Sequence, residues 1–157
     1  MTAAPEILAL QHAHTACRMH QDALGEALND FGQRSLAAAD MERLTKEDRR
    51  LLDQFAYRYT RLHDDMGARL MPAALRAMGE EIAVMPVLDR LNRLEQLGWL
   101  PSAEAWSDLR RIRNEFTHDY PETPQERFDR LQLAHASAHK GLEILEGITQ
   151  KIQQRFP

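Results

Sequence analysis

The sequence has a single cysteine and no long apolar run, and both features limit what the protein can be. Cys17 is the only cysteine among 157 residues, so the chain forms no internal disulfide and has no CxxC zinc or redox motif. No stretch approaches the roughly 18 consecutive apolar residues that a membrane-spanning helix requires. The beginning, MTAAPEILAL, lacks the basic and apolar regions of a secretory signal. These features predict a cytoplasmic protein without a membrane partner.

Sequence signatures of several enzyme classes are also missing. The seven glycines are scattered and form no phosphate-binding loop. No nucleophile elbow and no HExxH pair is present. The absence of these motifs excludes the P-loop nucleotide hydrolases, the α/β-hydrolases and the common zinc proteases.

The composition is that of an ordinary soluble domain. Hydrophobic residues make up 43% of the chain and charged residues 28%, and the length suits one domain over residues 1–157. Acidic residues outnumber basic ones by 24 to 20, which gives a formal charge of −4. This charge argues against a general nucleic-acid coat, and we expect no DNA partner, but a local anion site remains open. Most of the basic residues are arginines, three of them in the segment RRIR at residues 110–113.

The hydrophobic pattern predicts an all-α protein. Apolar residues recur at alternating steps of three and four, and no segment alternates with period two. We expect an up-and-down bundle of four to five helices. The predicted helices cover about residues 5–31, residues from about 45 onward, residues from about 86 to Gly98, a segment after Ser102 and about residues 123–156.

Several helix ends carry recognisable signals. Thr123 followed by Pro124 is typical of the beginning of a helix, and Ser102 is the predicted N-cap of the segment before it. Gly67 and Pro72 interrupt the second helix, and they predict a kink or a break there.

The segment RNEFTHDYP, residues 113–121, collects polar groups where a helix is about to stop. Arg113 falls on the edge of the apolar arc of its helix, so it must meet a carboxylate, a phosphate or a subunit boundary. His118 would lie about 140° from Arg113 around an ideal helix. Pro121 disfavours helical backbone at Tyr120, so the helix is expected to unwind near His118 and free its side chain to turn toward Arg113.

A purely structural interpretation of this segment is also available. Arg113 would then form an ion pair, His118 would interact with the helix dipole and Tyr120 would pack against neighbouring residues. Composition alone favours this interpretation over a functional site.

The spacing adds a resemblance to a known family. The spacing of one arginine, a histidine five positions later and a tyrosine two positions after that resembles the RxxxxHxY signature of the HEPN superfamily, in its HepT branch. Residues 113–120 match this signature position by position. The similarity extends over most of the chain, because residues 55–75 and 91–121 resemble the central helices of that family. The motif also lies late in the chain, before a long final helix, as in that family.

The resemblance implies a homodimeric bundle and a metal-independent endoribonuclease. HepT-like proteins are toxins of type II toxin-antitoxin pairs, and their antitoxin is an MNT-type minimal nucleotidyltransferase. Arg113 would hold the scissile phosphate of an RNA substrate, and His118 would transfer protons. Asn114 and Arg110 would support them. Tyr120 matches the tyrosine to which the antitoxin transfers AMP.

Two alternatives remain open beside this expectation. The chain could be a non-catalytic binding subunit of a nucleotidyltransferase. His135 and His139, one helical turn apart, could bind a metal if His14, His20 or residues 63–65 supplied a third ligand. Because His135 lies on an apolar seam, a core histidine is the preferred interpretation, and we expect neither a metal nor a cofactor.

Overall fold

The computed structural model describes residues 4–118 and 122–157, and these residues form helices and connections without a β-strand. The all-α prediction is therefore confirmed for this part of the chain. A short 3₁₀ helix, Ala38–Glu42, lies in the first connection. The α-helices are α1 (Pro5–Gly32), α2 (Lys46–Asp65), α3 (Met71–Ala77), α4 (Val87–Gln96), α5 (Ala103–Phe116) and α6 (Pro124–Arg155).

The predicted helix ends follow from local hydrogen bonds. The hydroxyl oxygens of Thr45, Ser102 and Thr123 each accept the backbone N–H three residues later, at 3.0, 3.0 and 3.1 Å. Each bond satisfies a donor that the first helical turn leaves unpaired, and such a cap contributes about 1 kcal/mol. Gly98 follows the end of α4 with a φ of +80°, which glycine adopts without strain. These local signals place α2, α5 and α6 where the sequence predicts them.

The helix is not broken at Gly67 and Pro72, so that part of the prediction is wrong. A π-helical turn, Met66–Leu70, joins α2 directly to α3. Pro72 falls in the first turn of α3, where a missing N–H disturbs the helix least. Gly67 therefore lies in one widened turn and Pro72 directly after it in α3, and the helix continues without a break.

All six α-helices contribute to one hydrophobic core. Phe55 is fully buried, stacks on the ring of Tyr59 at 5.5 Å and meets Phe116 edge-on at 6.0 Å. Cys17 is also fully buried, and burial raises the pKa of its thiol to about 12. This thiol therefore packs in the core, as the sequence predicts, and is not an activated nucleophile.

Helix α5 carries the motif and packs between other helices. It contacts α6, α4 and α2. Its C-terminal end consequently lies beside the middle of α2 on one side and the beginning of α6 on the other. In residues 4–118 and 122–157, no helix has the length and apolar character needed to cross a bilayer.

Candidate functional site

Arg113 is anchored to α2 by an ion pair. Its Nη2 atom donates to Oδ2 of Asp64 at 2.7 Å. The arginine side chain is 23% exposed and the aspartate side chain 46% exposed, so the pair lies at the edge of the core. The structure thus supplies the carboxylate that an arginine on a packing arc needs.

The other nitrogens of Arg113 have weaker contacts. Nη1 donates to Oδ1 of Asn114 at 3.4 Å and to Oγ1 of Thr117 at 3.3 Å. Nε is buried and has no hydrogen-bond partner among the described residues. Long bonds of this kind exchange readily for a stronger acceptor such as a phosphate oxygen. Asn114 is thus a weakly bound neighbour of the guanidinium, and its supporting role toward a phosphate stays a prediction.

His63 packs behind this ion pair. Its ring stacks on the indole of Trp106, with centroids 4.4 Å apart and planes within 3°. Burial lowers the pKa of His63 to about 4, the charges of Arg113 and Arg110 act in the same direction, and Asp64 opposes them. His63 is therefore neutral near pH 7 and serves as a packing surface for α5.

Residues 63–65 point in three directions. His63 stacks on α5, Asp64 pairs with Arg113, and Asp65 accepts from Nε2 of His20 on α1 at 3.1 Å. The run therefore does not present its side chains to one common ligand.

His118 lies just past the end of α5. The helix ends at Phe116, which confirms the predicted unwinding before His118. The backbone carbonyl of His118 accepts from Nη2 of Arg130 at 3.0 Å, and Nη1 of Arg130 donates to Glu122 at 2.6 Å. The exposed His118 lines a cleft of about 270 Å³ with Arg127 and residues of α2 and α6.

Arg113 and His118 have different surroundings within one chain. Arg113 turns toward Asp64 on α2, whereas His118 lines the cleft beside α6. A phosphodiester that contacts both Arg113 and His118 of one chain must therefore extend past the end of α5. Otherwise, one of these two contacts must come from a second chain.

Arg110 lines a second cleft, of about 480 Å³, on the α2 side of α5. It is exposed and lies one turn before Arg113. Arg110 and Asn114 lie near Arg113 on α5, and their supporting roles stay predictions. Tyr120 lies outside the described residues.

The HxxxH pair is packed against aromatic rings. The rings of His135 and His139 are 5.0 Å apart, and His135 also lies near Phe31 and Phe55, at 6.5 and 6.4 Å. Burial lowers the pKa of His135, and His139 adds to this effect. Among the described residues, no group of three or more His, Cys, Asp or Glu side chains is arranged to hold a metal ion. The core-histidine interpretation agrees with these ring contacts.

Sequence reasoning did not identify Asp64 as the partner of Arg113. The two residues are 49 positions apart, and their contact depends on how α5 packs on α2. The available signal was the acidic pair that follows His63 in the middle of an amphipathic helix. That signal indicates a polar contact but does not say with which residue.

Comparison of the chain with protein-family models, with curated proteins and with solved structures finds no match.

Proposed function

We propose that this protein is a HEPN-like, homodimeric, metal-independent endoribonuclease that acts as the toxin of a type II toxin-antitoxin pair. The observation that carries the proposal is the arrangement at the end of α5. Arg113 is held by Asp64 with its side chain 23% exposed, and His118 follows where the helix has ended. The RxxxxHxY spacing and the all-α fold support the same family. Incubation of the purified protein with RNA in EDTA tests the proposal.

The chemistry requires one proton acceptor and one group that stabilises negative charge. The ribose 2′-oxygen attacks the phosphorus, its proton passes to a base, and the bond from phosphorus to the 5′-oxygen breaks as that oxygen takes up a proton. His118 exchanges these protons because one imidazole can both accept and donate a proton. Arg113 contacts two phosphate oxygens with its planar fork and stabilises the charge of the transition state. Bound phosphate shares the guanidinium with Asp64, because the long bonds of Nη1 are those that exchange.

The proposed homodimer would place residues 113–120 at the subunit interface, where one chain complements the other. Exposed apolar side chains at the beginning of α4 support such a contact. Val84 is 88% exposed, and Val87 and Leu88 are also exposed. Apolar side chains grouped on a surface often mark protein contacts.

Light scattering at micromolar concentration is expected to give the mass of a dimer. A Val84→Glu/Leu88→Glu double variant should shift the mass toward the monomer, because two charges in an apolar interface lose hydration. Both side chains are exposed, so the helical content should stay unchanged. A monomeric wild-type protein would contradict the proposed dimer.

The proposed partner is an MNT-type nucleotidyltransferase, and the proposed point of control is Tyr120. AMP on this tyrosine would add a phosphate next to the motif and occupy the position of the RNA phosphate. Co-expression with such an enzyme should add mass in multiples of one AMP unit. Tyr120→Phe should prevent the addition, with Tyr57→Phe, an exposed tyrosine on α2, as the matched control. Mass addition that persists in Tyr120→Phe would contradict the assignment.

A second candidate function is a non-catalytic subunit of the nucleotidyltransferase. The observation in its favour is that Asp64 already pairs with Arg113, while His118 lines a cleft that does not include Arg113. A binding subunit would keep its affinity for the nucleotidyltransferase in a His118→Ala variant and would cut no RNA. Cleavage that depends on His118 separates the two functions.

A further inference from the structure

A cleft beside the proposed site has no assigned role. It measures about 480 Å³ and lies between the π-helical turn, α4 and α5. Clefts that hold ligands the size of a nucleotide range from about 300 to 1,000 Å³. Asp64 lines the cleft, and the same carboxylate pairs with Arg113. The cleft therefore opens directly beside the arginine of the motif.

The charges of the cleft favour an anion. Arg90 and Arg110 line it, and Asp64, the one carboxylate that the described residues contribute to it, already has Arg113 as a partner. This is a locally basic surface on a chain whose formal charge is −4. By contrast, the cleft near the chain's first helix contains Glu6, Glu80 and Glu81.

Arg90 is fixed in place by the loop before α4. Its Nε donates to the carbonyl of Met85 at 3.1 Å, and its Nη2 donates to the carbonyl of Ile82 at 2.9 Å. A guanidinium has five N–H donors, so these two bonds leave donors for a ligand. A side chain that is held before binding loses little conformational freedom when an anion arrives.

The wall of the cleft is apolar and contains small residues. Gly67 and Ala68 belong to the π-helical turn, and a Cβ atom on Gly67 would lie only 3.4 Å from Cζ2 of Trp106. Pro72 and Leu91 complete this wall. Trp106 fills the space beside Gly67, whereas the exposed Ala68, with its small side chain, leaves room for a flat group. Turns of the π-helical type are frequent at functional sites. The cleft thus combines an apolar wall with arginines at its edge, which suits a nucleoside joined to a phosphate.

We propose that this cleft binds the nucleotide adjacent to the scissile phosphate of a single-stranded RNA, and this inference rests on the proposed function. Arg110 and Arg113 are one helical turn apart, on neighbouring positions of the surface of α5. They would contact successive phosphates of one strand, while the sugar and base lie against the wall formed by the π-helical turn. A duplex does not present its bases to a cleft of this size, so the strand must be unpaired.

The test uses a fluorescein-labelled 2′-O-methyl oligoribonucleotide, which cannot be cut because its 2′-oxygen is blocked. Binding to the full-length protein is followed by fluorescence anisotropy over a range of salt concentrations. Ala68→Leu, which fills the cleft from an exposed position, should weaken binding by about tenfold. Arg110→Gln should weaken it by a similar factor and lower the slope of log K against log salt by about 0.7. Annealing the probe to its complement should also weaken binding.

Two matched variants serve as controls. Ala136→Leu adds the same bulk at an exposed position of α6, and Arg49→Gln removes the same charge from an exposed position of α2. Both should bind the probe like the wild-type protein. The inference would be overturned if Ala68→Leu bound the probe with wild-type affinity or if Arg110→Gln kept the wild-type salt slope. Losses of affinity in the controls equal to those of the test variants would also overturn it, as would a wild-type protein that fails to bind the probe. Failure of the proposed function has a different signature, because the protein would then bind the probe through this cleft and leave natural RNA uncut.

Discussion

Replacing His118 with alanine is expected to lower the rate of RNA cleavage by about 10²- to 10⁴-fold, the usual effect of removing a proton-transfer group. The fold should tolerate the change, because His118 is exposed and lies after the last residue of α5. Circular dichroism should show unchanged helical content. His139→Ala, an exposed histidine on α6, is the matched control and should cut RNA at the wild-type rate. Equal rates for the wild-type and His118→Ala proteins would remove His118 from the mechanism.

Arg113→Ala should reduce cleavage over a similar range, because the guanidinium stabilises the charge that develops on the phosphate. The ion pair with Asp64 is partly exposed, so its loss should reduce stability by less than about 1 kcal/mol. Arg111→Ala changes an exposed arginine on the same helix and should leave the rate unchanged. Arg113→Lys should remain impaired, because an ammonium lacks the two-point contact of the fork. A fully active Arg113→Ala protein would assign Arg113 a structural role only.

The second large effect concerns stability against acid. The structure lowers the pKa of four histidines, mainly through burial: His14, His20, His63 and His135. In the unfolded chain these histidines bind protons near pH 6.5, whereas in the folded chain they bind protons only at lower pH. Stability is therefore fully present above pH 6.5 and is lost as the pH falls below that value.

His63 should contribute the largest single share. Its pKa falls from 6.5 to about 4, and between pH 7 and pH 5 this difference corresponds to about 2 kcal/mol of lost stability. His63→Phe keeps a flat ring against Trp106 and removes the proton site. Urea unfolding at pH 7 and pH 5 should therefore show a smaller loss in His63→Phe than in the wild type. His12→Gln, at an exposed position of α1, should behave like the wild type, and an unchanged pH dependence in His63→Phe would contradict the assignment.

The helix boundaries could be predicted because their causes are local. Thr45, Ser102 and Thr123 cap the backbone three residues ahead, and Gly98 adopts a positive φ, so a few neighbouring residues determine each end. The π-helical turn at Gly67 was not predictable from the same signals. Its formation depends on how Met66 and Leu70, both buried, pack in the assembled core.

The candidate site was predictable only in part. The periodicity of α5 placed Arg113 on a packing arc, which required a partner but did not identify Asp64 on another helix. The direction of His118 also depends on tertiary structure, because Arg130 of α6 binds its carbonyl. Neither the Trp106–His63 stack nor the cleft behind it has a sequence signal, since both arise where α5 meets the π-helical turn.

The most direct test of the proposed ribonuclease compares one RNA with the all-deoxy strand of the same sequence, each incubated with the purified protein in EDTA. Attack by the 2′-oxygen predicts that only the RNA is cut and that mass spectrometry finds 2′,3′-cyclic phosphate and 5′-hydroxyl ends. The proposed function would be contradicted by cleavage of the deoxy strand or by cleavage that EDTA abolishes. It would also be contradicted if the RNA stayed intact after prolonged incubation with the unmodified dimer.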